Sequence, residues 1–292
     1  MKALKLSKEE RVVLVEPAIK NAWIPYPAAV NIMKQLEDIY VSKRPIQDGL
    51  TPYRRHNLLI VSDTNNGKTH LLNHFCKRHP LEERPRQDSI FAPVISIEID
   101  GPNRNKFYNS ILNRLHAAFR PRDRVDTKEF QALELMSNVG TRMLVIDELS
   151  TAVAAGTLTQ RAFLNTLKFL CNRSDITIVG AGTKEVFSAL RLVPQLDNRF
   201  RRVELKRWQF GDAFRRLLAS YECILPLHKP SELQEPTLAM KLYSMTEGYI
   251  GELADLLIEA SKQAIRSGRE QIDQKLLQEI DWEAPSARIR SR

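Results

Sequence analysis

The chain has 292 residues, 43% of them hydrophobic, enough to bury the core of one large domain or two. No run approaches the roughly 20 apolar residues that cross a bilayer, and the start, with Glu9, Glu10 and Glu16 and no small-residue cleavage site, lacks a secretory pattern, so a cytosolic protein with no membrane partner is expected. Cys76, Cys171 and Cys223 are far apart and odd in number, which excludes a disulfide framework or a paired zinc motif and predicts isolated core cysteines, while a net charge of +9 suits a polyanion such as DNA without fixing one.

In chain order, residues 1–50 hold an N-terminal segment and a first helix. Four short β-branched runs follow: "NLLIVSD" (57–63), "APVISIEID" (92–100), "RMLVIDE" (142–148) and "ITIVGAGT" (176–183). Helical periodicity separates them, as in "YNSILNRLHAAF" (108–119), with Ile111, Leu112, Leu115 and Phe119 on one face, and in "QRAFLNTLKFLCNR" (160–173). Strands alternating with helices predict an α/β core over 51–206, a parallel sheet sandwiched by helices. After "FRRVEL" the strand signals stop, and residues 207–280 read as a small all-helical domain with breaks at 225–232, 247–251 and 267–271. The tail, 281–292, is polar and basic and is expected to be mobile.

The first strand run leads directly into Ser62-Asp63-Thr64-Asn65-Asn66-Gly67-Lys68-Thr69 and then a helix beginning near His70. Against G-x-x-x-x-G-K-[ST], only the first glycine is missing, with Ser62 in its place; a serine fits there if its φ is negative. The strand–loop–helix context is what the pattern requires. Gly67 lets the backbone approach phosphates, successive N–H groups cradle an anion, Lys68 reaches the β- and γ-phosphates, and the Thr69 hydroxyl holds Mg²⁺.

The third run ends in Asp147 and Glu148, at the carboxyl end of a strand. Asp147 is expected to orient Mg²⁺ and Glu148 to polarise the attacking water; the alternative is an exposed acidic pair capping the next helix. Together the two motifs predict a P-loop ATPase, an α/β core followed by a helical domain, using ATP and Mg²⁺. Thr183, ending the fourth run, is placed either as a γ-phosphate sensor or as the N-cap of "KEVFSAL". Arg199, with Arg201 and Arg202 as substitutes, is placed as the finger that completes a neighbouring subunit's site, against the alternative of a basic surface strand.

The segments "AWIPYPAA", "NLLIVSDTNNGKTHLLNHF", "LVIDEL", "FLNTLKFLCN", "ITIVGAGTKE", "NRF" and "EGYIGELADLL" resemble the TniB/TnsC family of AAA+ transposition ATPases, over about residues 20–265. The resemblance implies assembly on double-stranded DNA as a homo-oligomeric ring or helical filament, communication with a DDE transposase and a TniQ-type targeting protein, and hydrolysis that drives disassembly. It departs from related initiator ATPases at "GYIG", where Gly251 stands in place of a lid arginine. In its light Trp23, Ile24 and Tyr26 either line the adenine pocket or simply pack the N-terminus.

Basic residues cluster at 52–56, at 101–109 and at 114–126. Loops in the second region face the axis of ring- and filament-forming ATPases, so the resemblance makes Arg104 and Lys106 the first candidates for DNA phosphate contact, followed by Arg120, Arg122 and Arg124. The alternative is a solvated basic face or contacts between subunits. Such contacts are sequence-tolerant and salt-sensitive. A helicase-loader-like ATPase and a nucleotide-gated, non-catalytic DNA scaffold remain as alternative functions; Glu148 favours the enzyme, and "WIPYP" and "GYIGEL" stand against the loader.

Overall fold

A computed structural model describes residues 6–42, 57–84, 89–173 and 175–290. The basic cluster at 52–56 and the expected boundary at 50/51 lie outside the described residues. The chain forms two compact units: one comprises residues 28–64 and 68–205, the other 1–27, 65–67 and 206–292. The helical unit thus begins at Lys206 and also takes in the N-terminal segment.

The elements run α1 (Lys8–Lys20), α2 (Pro27–Ser42), β1 (Asn57–Val61), α3 (Lys68–Arg78), β2 (Glu82–Arg84), β3 (Ser89–Phe91), β4 (Val94–Glu98), α4 (Arg104–Arg114), α5 (Val125–Asn138), β5 (Met143–Asp147), α6 (Leu149–Val153) and α7 (Thr157–Arg173). They continue as β6 (Thr177–Gly182), α8 (Lys184–Arg191), α9 (Pro194–Asp197), β7 (Phe200–Glu204), α10 (Asp212–Glu222), α11 (Pro236–Thr246), α12 (Ile250–Ser267), α13 (Gln274–Glu279) and α14 (Pro285–Arg290).

In the α/β unit five parallel strands lie in the order β4-β5-β6-β1-β7, with β2 and β3 forming a separate antiparallel pair. The apolar runs become strands because both faces of the inner strands are covered. Every residue of β1, β5 and β6 is buried, the condition that favours continuous Val, Ile and Leu over alternation. Ile97, Phe107, Leu144, Ile146, Leu167 and Ile178 share one core, each large side chain worth about 1.5–3 kcal/mol of transfer free energy. At the edge, β7 turns Arg201 and Arg202 outward, charges that discourage pairing with a further strand.

In the helical unit, Arg11, Val15 and Ile19 of α1 recur every fourth residue and are buried, and α1 packs against α12. A second core joins Val15 and Ile19 to Leu218, Leu242, Leu253, Leu257 and Leu276. A capping box starts α1: Glu10 N donates to Ser7 Oγ at 3.2 Å and Ser7 N to Glu10 Oε2 at 2.8 Å. The Arg11 guanidinium donates to Glu270 at 2.6 and 2.7 Å, and holds that carboxyl below its ordinary range.

Three expectations are corrected. The helix predicted to run to Phe119 ends at Arg114, because His116 adopts a left-handed φ of 52° and Ala117 N donates back across it to Leu112 O at 2.9 Å. The tail is folded as far as Arg290: Trp282 Nε1 donates to Met245 O at 2.9 Å and α14 follows. The cysteines are free, but only Cys171 packs against the core: Cys76 is half-buried apart from it, and Cys223 lies exposed at the C-cap of α10. Among the described residues no helix is long and apolar enough to cross a membrane.

Candidate nucleotide site

Within the α/β unit, the carboxyl ends of β1, β5 and β6 lead into the candidate residues, and β1 lies beside β6, which lies beside β5. The strand β1 ends at Val61, and the Ser62 N–H donates to Gly182 O at 3.1 Å. Asn65 (φ 57°) and Gly67 (φ 85°) are the positive-φ residues of the loop, so Ser62 is accommodated without left-handed strain. Its hydroxyl does more than fit. Lys68 Nζ, at the start of α3, donates to Ser62 Oγ (3.0 Å), Ser62 O (3.2 Å) and Asp63 O (2.8 Å), and the Ser62 hydroxyl donates onward to Asp63 O (2.9 Å). Burial pushes the Lys68 ammonium below its ordinary pKa, while Glu148, Asp147 and Asp63 pull it back up. Thr64, Thr69 and His70 are exposed, Asp63 is half-buried and Asn66 is buried.

Asp147 is buried at the end of β5, and its Oδ1 accepts from Glu148 N at 2.8 Å. Glu148 has a left-handed φ of 54° and makes no side-chain cap to α6, so the capping alternative does not hold. A non-glycine residue in that region is costly and is typical of functional positions. Thr151 Oγ1 fastens the turn to Ile99 O (2.7 Å) and Glu148 O (2.8 Å).

Thr183 sits at the N-cap position of α8, yet its side chain does not cap the helix. Its N–H donates to Ser150 Oγ at 2.7 Å, the two hydroxyl oxygens are 3.2 Å apart, and its hydroxyl donates to the Glu185 carboxylate. Ser150 escaped the sequence reading, because its role exists only once α6 meets the end of β6. Glycine permits that approach: a Cβ on Gly182 would stand 2.8 Å from Ser150 Oγ, and one on Gly180 2.9 Å from Leu149 Cδ2.

The arginine candidates separate. Arg199 Nη1 donates to Cys171 O at 2.9 Å. Arg202 pairs with Asp197 and lies over the Phe187 ring, 3.8 Å from its centroid. Arg201 is exposed and has no ion-pair partner among the described residues. The DNA candidates separate in the same way. Arg104 pairs with Glu129 (2.8 Å) and lies 3.7 Å from Asp126, and Lys106 pairs with Asp100 (2.7 Å). Arg120, Arg122 and Arg124 are exposed, on a loop held by the fully buried Lys128, whose Nζ donates to Asn105 Oδ1 (2.7 Å) and Pro121 O (3.0 Å).

In the helical unit, Tyr26 packs against Trp208 with ring centroids 4.9 Å apart, burial raises its hydroxyl pKa to about 12, and Ile24 is half-buried against the same core. The loop residues 65–67 belong to this unit. Gly251 N donates to Asn65 O at 3.0 Å, and Asn65 Nδ2 donates to Glu252 Oε1 at 2.9 Å. A Cβ at position 251 would lie 1.8 Å from Asn65 Oδ1, which excludes an arginine there.

The family model of the bacterial TniB protein matches residues 16–210. The chain belongs to the TniB family. No curated protein matches it. Among solved structures, this TniB-family chain is similar to the ORC2 protein of Aeropyrum pernix in ADPNP–ADP complexes, at TM-score 0.63 and 15% identity, covering 89% of this chain and 70% of that one. It is also similar to the Aeropyrum pernix ORC1 protein in complex with DNA, at TM-score 0.59 and 16% identity over 94% and 69% of the two chains. Cdc6p of Pyrobaculum aerophilum aligns at TM-score 0.59 and 13% identity over 88% and 68%. At that identity the likeness establishes the fold alone, a parallel sheet flanked by helices and followed by further helices.

Proposed function

We propose that this TniB-family protein is an ATP-dependent, DNA-binding regulator of transposition. In this reading it oligomerises on double-stranded DNA, marks a target, engages a transposase and a TniQ-type targeting protein, and disassembles on hydrolysis. The observation that carries the ATPase is the convergence of Lys68, Asp147, Glu148 and Thr183 on the carboxyl ends of β1, β5 and β6, with Glu148 held in a strained conformation.

The residues fit a nucleotide. Gly67 holds φ 85°, a loop conformation that a side chain would strain, and the buried Lys68 ammonium donates to neutral oxygens of Ser62 and Asp63. Mg²⁺ usually takes one or two protein ligands and completes its shell with water and phosphate oxygens. Thr69 and Asp147 supply that number, and among the described residues no cluster of three acidic, histidine or cysteine side chains offers another site. When bound, the ion would neutralise charge on the β- and γ-phosphates.

Lys68 donates to phosphate oxygens, Glu148 accepts a proton from the attacking water, and Thr183 reports the γ-phosphate through its hydroxyl. The hydroxyl proton of Thr183 now rests on Glu185, so sensing requires it to rotate away. On the DNA side, Arg120, Arg122 and Arg124 form no ion pair among the described residues. They are better placed for phosphate contact than Arg104 and Lys106, which would first have to leave carboxylates.

The test is ATP hydrolysis by the purified protein with and without double-stranded DNA, beside Lys68→Ala and Glu148→Gln. DNA stimulation that both variants lose is the expected result. Activity indifferent to DNA, or absent at saturating ATP, would overturn the reading in favour of a scaffold.

A further inference from the structure

Glu252 lies in the first turn of α12 with its side chain only 10% exposed. Its Oε1 accepts from Asn65 Nδ2 at 2.9 Å and from Arg288 Nη1 at 3.1 Å, and its Oε2 accepts from Arg288 Nη2 at 2.7 Å. The carboxylate therefore grips the tip of the phosphate loop with one oxygen and is neutralised from behind by a bidentate guanidinium. Bidentate pairs of this kind combine strength with a fixed geometry.

Arg288 is itself held in place. Its Nε donates to Glu283 O at 2.8 Å, its guanidinium lies 5.3 Å from the Trp282 ring centroid, and Ser286 hydrogen-bonds Glu247. The segment from 282 to 288 thus delivers a cation to one carboxylate. Glu252 needs that cation. It stands one hydrogen bond from a loop whose ligand is polyanionic, and an unpaired, largely buried carboxylate there would repel the ligand. Asn65 holds φ 57°, a left-handed conformation that asparagine tolerates, and the hydrogen bond to Glu252 fixes its side chain.

We propose that Arg288 is a positioning residue of the nucleotide site, which cancels the charge of Glu252 so that Glu252 can hold Asn65 without opposing phosphate binding. This rests on the nucleotide-binding reading above. It makes the C-terminal segment part of the loop's support, so drawing that segment away weakens nucleotide affinity.

The test is titration of the full chain with a fluorescent ADP analogue, for wild type, Arg288→Met, Arg288→Lys, Glu252→Gln and the double variant Arg288→Met with Glu252→Gln. Arg288→Met should weaken binding roughly five- to tenfold, and Arg288→Lys should recover part of the loss. The double variant should return to within about twofold of wild type, since Glu252→Gln keeps an oxygen for Asn65 Nδ2 and removes the charge. A support role without charge cancellation would leave the double variant as weak as Arg288→Met, and that result, or wild-type binding by Arg288→Met, overturns the proposal. Hydrogen exchange of the ligand-free protein tests the same relationship without nucleotide. Amides 65–67 should exchange faster in Arg288→Met and recover in the double variant; unchanged exchange rejects the proposal. A wild type that binds no nucleotide would sink the functional reading alone.

Discussion

Gly251 and Asn65 meet backbone to backbone, with the Gly251 N–H donating to Asn65 O at 3.0 Å. A Cβ on residue 251 would stand 1.8 Å from Asn65 Oδ1 and 2.7 Å from Asn65 O, so a larger residue must displace the loop tip and not merely a side-chain end. Gly251→Ala is therefore expected to lower nucleotide affinity at least about tenfold and to destabilise the protein by about 1–3 kcal/mol. Isothermal titration with ADP, together with thermal unfolding, checks both. Wild-type affinity in a stable Gly251→Ala protein would show that the tip tolerates displacement.

Ser150 leads to a different kind of loss. It accepts from Thr183 N at 2.7 Å and lies 3.2 Å from the Thr183 hydroxyl, so it sets where that hydroxyl can point. Ser150→Ala should leave ATP affinity near wild type and reduce kcat roughly ten- to a hundredfold, the scale of a small misplacement at a reacting centre. Ser150→Thr, which keeps the oxygen, should restore part of the rate. Steady-state kinetics that showed KM rising with kcat unchanged would reject a positioning role.

The Arg11–Glu270 pair ties α1 to the turn that follows α12. The Arg11 side chain is 2% exposed and that of Glu270 10%, so removing one partner leaves a largely buried charge. Arg11→Met should cost about 3 kcal/mol. The sign of its pH dependence follows from Glu270, whose pKa is lowered chiefly by the hydrogen bond from Arg11. Its contribution is fully present above the unfolded carboxylate value, about 4.3, and is lost as pH falls through the lowered folded value. Glu270→Gln should flatten unfolding curves in that acid window, which melting temperatures measured from pH 7 down to pH 3 would show.

The strands were legible because a covered parallel sheet demands continuous apolar runs, and "LLIV", "MLVID" and "TIVGAG" meet that demand locally. The loop was legible for a similar reason: Gly67, Lys68 and Thr69 act within a few bonds of one another. What sequence reading passed over depends on partners distant in the chain. Ser150 gains its meaning from Thr183, Glu252 from Asn65, and the buried Lys128 from Asn105 and Pro121. The tail reads as polar and mobile because Trp282 and Arg288 dock on partners far back in the chain, Met245 and Glu252, through contacts that carry no periodicity. The capping box at Ser7 and Glu10, by contrast, was available from spacing alone.

The arginine finger is where geometry reorders the sequence candidates. A finger must be free to enter a neighbouring site, yet Arg199 is hydrogen-bonded to Cys171 O at 2.9 Å and Arg202 is paired with Asp197 over the Phe187 ring. Arg201 projects from the edge strand β7 without an ion-pair partner among the described residues. Arg201→Ala should therefore cut DNA-stimulated hydrolysis by at least about tenfold, within the range that transferred arginines supply, while nucleotide affinity stays near wild type. Arg199→Ala should act mainly on stability, through the orphaned carbonyl of Cys171, by about 1 kcal/mol. Mixing settles the assignment: Arg201→Ala subunits keep an intact phosphate loop, and Lys68→Ala subunits keep an intact Arg201. If Arg201 acts across the interface, the mixture regains activity that neither variant has alone. Recovery with Arg199→Ala in place of Arg201→Ala, and none with Arg201→Ala, would return the role to Arg199.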